Sequence, residues 1–283
     1  MSTLLTQIHD VYINKGDSLV KIEVLMSTMN KNYDTLFREV KTRKIKSDIL
    51  IINQSNNQKR YFNSNIRIYN YNEKGLSKSR NRGLENANGE ICVIADDDII
   101  YKESYCDILK KSFEKNLDAD IITFQIETPD GNLFKNYSKK EFWHNKRTIL
   151  KVSSIEIAFR RDSIIKNNIK FDERFGLGSK YITGEENIFL MDCLDKGLKI
   201  KYIPSPIVIH PYENSGRIFS ESLIFSKGAV FARLFKFNFI VLNFLFALKK
   251  YKEYKNCHNF INFIRLIYKG SFDFISNEKM SRF

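Results

Sequence analysis

Paired cysteines, bilayer-length apolar runs and internal repeats are all missing from this sequence, and each absence excludes a class of protein. The four cysteines, Cys92, Cys106, Cys193 and Cys257, lie far apart, with no CxxC pair and no metal-like spacing. They read as free thiols of a reducing compartment, not as a disulfide framework or a zinc site. The most apolar segment carries only twelve uncharged residues, Phe237 to Leu248, against the roughly 20 that span a bilayer. "MSTLLTQIHDVYINKGD" has no basic start followed by an apolar run, so no signal peptide and a cytoplasmic location are expected. No zinc, homeodomain or RRM pattern occurs. No glycine-rich phosphate loop follows the first apolar run, where "MSTMNKNYD" stands. That counts against a nucleotidyltransferase.

What is present is a chain of 283 residues, 43% of them apolar, enough for one large α/β domain with an appendage or for two modest domains. Lys and Arg number 46 against 33 acids, a formal charge of +13. Such a balance favours anionic partners: phosphorylated ligands, an acidic membrane surface or nucleic acid. The basic residues are spread along the chain, so nucleic acid is the rival reading and not the expected one.

"KIEVLMST" (21–28), "SDILIINQS" (47–55), "IRIYNY" (66–71), "EICVIA" (90–95) and "ADIITFQIE" (119–127) read as strands. They alternate with helix-compatible stretches, among them 74–89, where Ser77 is the expected cap, and 101–116. Alternation of this kind implies a mostly parallel sheet covered by helices, with ligands beyond the carboxyl ends of the strands. Further on, 153–161 reads as a strand, 171–184 as a glycine-punctuated loop, and 185–197 as a helix ended by Gly197. Residues 199–216 supply two short strands around prolines.

Three groups can carry chemistry. Asp96, Asp97 and Asp98 end an apolar strand, where adjacent carboxylates need compensation by a cation or by donors. Asp96 and Asp98 can share one hard cation, Mg²⁺ or Mn²⁺, with a diphosphate, and Lys78, Arg80 and Arg82 can meet the same phosphates. The acids equally suit a helix N-terminus. Glu185 and Glu186 open a helix behind a glycine loop, either as helix stabilisers or as a general base. His210 ends "PIVIHPY", a place where a lone histidine is ordinarily structural.

In order, "GLSKSRNRGLENANGEICVIADDD" and "FDERFGLGSKYITGEENIFLMDCLDKGLKIKYIPSPIVIH" resemble glycosyltransferase family 2, over roughly residues 20–212. The resemblance implies the GT-A fold: a Rossmann-like, mostly parallel central sheet flanked by helices. It also implies a nucleotide-sugar donor, a UDP-sugar foremost, a Mn²⁺ or Mg²⁺ cofactor, and inversion at the anomeric carbon. Asp96–Asp98 would be the DxD motif, with Asp98 on the metal and Asp96 at the ribose or the metal shell. Asp97 and Arg80 would lie by the diphosphate. Glu185-Glu186 is similar to the family's ED motif, which makes Glu186 the base and Glu185 the reserve. His210 matches a position that completes the metal site in some members. Ser27, Thr28 and Asn30 would begin the nucleotide pocket. Asn53 stands where the family usually has a base-reading aspartate, a departure that weakens a uracil contact there.

The domains expected are a catalytic unit, 1–217, with a nucleotide half near 20–130 and an acceptor half near 131–217, and a basic aromatic helical extension, 218–283. The extension holds 11 Lys/Arg against 4 Asp/Glu. "FARLFKFNFIVLNFLFALKKYKEYK" (231–255) suits either an interfacial helix on anionic lipid or a helix packed on the catalytic unit. By family analogy the acceptor is a saccharide or lipid-linked saccharide in capsule, lipooligosaccharide or related glycan synthesis, which would place the enzyme peripherally at the inner membrane face. Trp143 and His144 fall in a region, 131–152, that has no spacing argument for a role.

Overall fold

The computed structural model describes residues 20–57, 59–211 and 219–280. The N-terminal stretch considered above and the expected boundary at 217 lie outside them. In chain order the strands are β1 (Ile22–Met29), β2 (Asp48–Gln54), β3 (Arg60–Phe62), β4 (Ile66–Tyr71) and β5 (Ile91–Asp96). They continue with β6 (Ile100–Tyr101), β7 (Ile121–Glu127), β8 (Phe142–Trp143), β9 (Ile157–Arg160) and β10 (Ile200–Ile209). The helices are α1 (Tyr33–Thr42), α2 (Leu76–Asn86), α3 (Tyr105–Lys115), α4 (Arg161–Lys166), α5 (Glu185–Asp195), α6 (Glu221–Phe235), α7 (Phe239–Tyr254) and α8 (Phe260–Met280).

All ten strands join one sheet in the order β3-β4-β2-β1-β5-β9-β7-β10-β6, with β8 beside β10. Strands β4, β2, β1 and β5 run parallel, as do β7 and β10. Ile49, Leu50, Ile51 and Ile52 are all buried because helices cover both faces of β2. Alternate residues then separate cleanly: Val24, Met26, Ile49 and Ile51 pack in one core. Leu25, Leu50, Ile52 and Ile94 pack in the other. The parallel register sets Ser27 beside Ile52 and Asp96, and Thr28 beside Asn53. One sheet edge therefore gathers the residues expected at the nucleotide.

Three local expectations are corrected. Ser77 does not cap α2: Gly75 holds that position, and the Ser77 hydroxyl donates to Phe175 O at 2.6 Å from inside the helix. The stretch 153–161 opens with a 3-10 turn, Ser154–Glu156, before β9, which runs antiparallel between β5 and β7. Around the prolines there is one strand, β10, whose register against β7 shifts at Pro206, so the bulge absorbs residues that cannot donate to the ladder.

The segment 231–255 divides. Lys236 turns the chain at φ 47°, so α6 and α7 are separate helices of 15 and 16 residues. Within Glu221–Tyr254 an 18-residue window reaches a mean hydropathy of 1.6, enough by length and composition alone to cross a bilayer. Each helix alone reaches only about 24 Å, short of a hydrocarbon core of about 30 Å. Helix α6 packs among α5, α7 and α8. It crosses α8 so closely that a Cβ on Gly228 would lie 1.8 Å from Ile267 O, and one on Gly270 1.8 Å from Phe225 O.

Candidate active site

The three aspartates at the end of β5 are each compensated separately by the protein. Asp96 Oδ1 accepts from Arg80 Nη2 at 3.0 Å, and its Oδ2 accepts from Ser154 Oγ at 3.3 Å. Asp97 Oδ2 pairs with Lys31 Nζ at 2.7 Å and accepts from the Thr28 hydroxyl. Asp98 Oδ2 lies 3.3 Å from His210 Nε2. Its hydrogen bond to His210 lowers the Asp98 pKa, and the same bond raises that of His210. Compensation of the triplet therefore does not by itself require a metal ion.

Helix α5 delivers the acid pair. Its N-cap is Gly184, at φ 90°, where a Cβ would meet Val230 Cγ2 at 2.4 Å. Glu185 turns inward, and its Oε1 accepts from Arg80 Nη1 at 2.9 Å. Arg80 is only 5% exposed. Burial works against its charge, but Asp96, Glu185 and Glu186 together hold it more firmly protonated than usual. Its Nε is buried without a partner, while its guanidinium lies 5.6 Å over the Phe171 ring. Arg80 was expected at the diphosphate. The geometry instead makes it a brace between Asp96 and Glu185. Glu186, half-buried, forms no ion pair among the described residues. Burial and the neighbouring Glu185 push its pKa up to about 7, against the pull of Lys227 and Arg80.

A cavity of about 330 Å³ opens over this edge, lined by Ser27, Thr28, Gln54, Lys74, Leu177 and the three aspartates among others. Asn30 is exposed beyond it, its backbone N–H bonded to Gln54 O. Asn53 is 1% exposed and spends its amide on the backbone of Lys31 and on Asn70, so it does not face the cavity. Gln54, one residue on, is in the cavity lining, its amide bonded to the Gly75 backbone. Lys78 is half-buried without an ion pair among the described residues, whereas Arg82 pairs with Glu73 and Glu85.

Sequence reasoning missed Lys74, Gln54, Ser154 and the loop residues Leu177 and Gly178. Lys74 lines the cavity with no ion pair among the described residues, and its signal was a cation just ahead of a helix N-terminus. Leu177 comes in because its carbonyl accepts from Leu76 N at 2.8 Å, which lays the 171–184 loop across the start of α2. Trp143 lies on the outer side, where Lys201 sits 5.4 Å over its ring. His144 bridges Thr123 and Thr148, and burial lowers its pKa to about 4.

The three-donor cation site expected from Asp96, Asp98 and His210 is not assembled. Asp96 is engaged by Arg80 and Ser154, and no group of three or more His, Cys, Asp and Glu side chains among the described residues is arranged to hold a metal. Asp98 and His210 do offer one oxygen and one nitrogen 3.3 Å apart. This donor pair fits a cation shared with a diphosphate, not one caged by protein alone.

The family model described as glycosyl transferase family 2 matches residues 51–176. The matched stretch takes in the Asp triplet, while Glu185-Glu186 and His210 lie past it. No curated protein matches the chain in sequence. Among solved structures it is similar to that of S. aureus TarS 1–349 in complex with UDP-GlcNAc. The TM-score there is 0.55 at 16% identity, covering 83% of this chain and 73% of that one. TarS 1–349 in complex with UDP gives 0.55 at 14%, covering 84% and 75%. TarS 1–349 alone gives 0.53 at 13%, covering 84% and 72%. The fold is the GT-A arrangement, a mostly parallel sheet flanked by helices.

Proposed function

We propose that the protein transfers a sugar from a nucleotide-sugar, a UDP-sugar foremost, to the hydroxyl of a saccharide or lipid-linked saccharide by one inverting displacement. The observation that carries this reading is the Arg80 bridge, which ties the Asp triplet at the cavity to the acid pair opening α5. The matched family and the UDP and UDP-GlcNAc bound by the similar TarS structures support the donor class. Residues 20–130 would form the nucleotide half and 131–217 the acceptor half. Capsule, lipooligosaccharide or a related surface glycan is the product the family analogy favours.

Ser27, Thr28 and Gln54 would seat the nucleoside, and Lys74 would face the diphosphate from the cavity wall. Asp98 and His210 would hold Mn²⁺ or Mg²⁺, which when bound offsets charge on the departing diphosphate oxygens. Arg80 would hold Asp96 and Glu185 in place. Glu186 takes the proton of the acceptor hydroxyl as that oxygen bonds to the anomeric carbon. The bond from that carbon to the diphosphate oxygen breaks on the opposite face, so the configuration inverts. With a pKa near 7, Glu186 is poised to accept a proton near neutrality.

Calorimetric titration with UDP and GDP, with and without Mn²⁺, tests this directly. Metal-dependent binding of one nucleotide, lost in Asp98→Asn, is the expected result. Failure to bind either under all conditions would remove the donor site, and the enzyme reading with it.

A further inference from the structure

The outer face of α7 is an apolar surface that the fold leaves uncovered. At about 100° per residue, Ile240, Val241, Phe244, Leu245, Leu248 and Tyr251 fall within an arc of about 140°. All six are exposed, Val241 at 61%, and Phe237 at the turn before the helix is 85% exposed. The opposite side, Phe239, Asn243, Ala247 and Tyr254, is buried against the rest of the helical layer. Helix α8 adds exposed Ile261 and Phe272, the latter with its ring 5.7 Å from that of Phe239. Monomeric proteins rarely leave so continuous an apolar face in water.

Charge indicates what covers it. The stripe runs into Lys249, Lys252 and Lys255, all exposed, and Lys236 stands at its other end. None of these four forms an ion pair among the described residues, and neither do Arg265 and Lys269 on the exposed side of α8. The one acid of α7, Glu253, is taken by Lys250 at 2.6 Å. A second copy packed on this face would bring two basic extensions together with no carboxylate on the stripe to pair them. An acidic protein partner could satisfy the lysines but not the apolar arc between them.

The geometry points to a docking surface for an anionic lipid bilayer, with α7 lying flat in the headgroup region. The rings and aliphatic side chains enter the acyl boundary while the flanking lysines meet lipid phosphates. The helix docks and does not cross, because α6 is held within the fold and α7 is too short.

The test is cosedimentation of the full chain with vesicles of phosphatidylcholine alone or mixed equally with phosphatidylglycerol, at low and high salt. Binding to the anionic vesicles only, weakened by salt, is expected. V241E/L245E and K252Q/K255Q should each weaken it at least about tenfold, while the charge-matched K111Q/K115Q on α3 leaves it unchanged. Val241 and Leu245 are exposed, so the melting temperature of the glutamate variant should hold; if it does not, the lysine variant decides. No binding to either vesicle overturns the proposal, as does equal loss in K111Q/K115Q. A dimer in light scattering that V241E/L245E abolishes would assign the face to a second copy instead.

Discussion

Arg80 and Glu185, 105 residues apart in the chain, meet as a hydrogen-bonded ion pair with Nη1 and Oε1 2.9 Å apart. The other arm of the same guanidinium holds Asp96 at 3.0 Å. One cation thus fixes the end of β5, the body of α2 and the start of α5 relative to one another. In the proposed reaction the separation between nucleotide and base would depend on a residue that need touch neither.

Arg80→Met should therefore act first on stability. It leaves Glu185, 7% exposed, as a buried charge without its partner, a change that typically costs about 3–5 kcal/mol. Asp96 reaches solvent and adds little. Arg80→Lys, which can serve one carboxylate at a time, should fall between the two. Urea unfolding reads this as a lower midpoint at unchanged slope, and a loss below about 1 kcal/mol for the methionine variant would contradict the brace.

Lys74→Gln should raise the KM for the donor about tenfold while leaving kcat within about twofold, the pattern of an interaction made equally in ground and transition states. Steady-state kinetics over donor concentration separates the two constants. An unchanged KM would mean that Lys74 lines the cavity without meeting the diphosphate.

Much of this was legible in the sequence for identifiable reasons. The buried strands announce themselves because a strand covered on both faces must be apolar throughout, as "ILII" of β2 is. The Asp triplet is legible because carboxylates after such a run need compensation. What compensates them is not legible: Lys31, Arg80 and His210 lie 66, 16 and 112 residues from their partners, and only the tertiary fold chooses among the many cations. Asn53 and Gln54 are adjacent, and which one faces the cavity depends on strand register, which one residue of slip reverses. The split of 231–255 into a packed α6 and an exposed α7 was likewise hidden, because apolar residues look alike whether they face a core or a bilayer.

Asp98→Asn and His210→Gln should each reduce Mn²⁺ affinity in the presence of UDP at least about tenfold, since loss of an outer-shell partner alone can cost that much. With two protein donors adjacent among the described residues, Mn²⁺ and UDP should strengthen each other's binding in the parent protein. Paramagnetic titration with and without the nucleotide measures the coupling. Tight Mn²⁺ binding without UDP, untouched by either substitution, would place the cation elsewhere.

Glu186 supplies opposite predictions for rate and stability. A general base works unprotonated, so with a pKa of about 7 turnover should fall about tenfold per unit below that pH and level off above it. For stability the sign reverses. From the ordinary carboxylate value of 4.5 up to about 7, the folded chain keeps a proton that the unfolded chain has lost. The folded state binds more protons there, so this group's contribution to stability declines as pH rises through that window. Glu186→Gln cannot ionise and escapes the decline. It should unfold at a higher urea concentration than the parent at pH 8, match it near pH 4, and lose about 10²–10⁴-fold in turnover. If Glu186→Gln keeps most of its activity and Glu185→Gln loses it, the base is the acid held by Arg80, and the pH–rate profile should then ignore position 186.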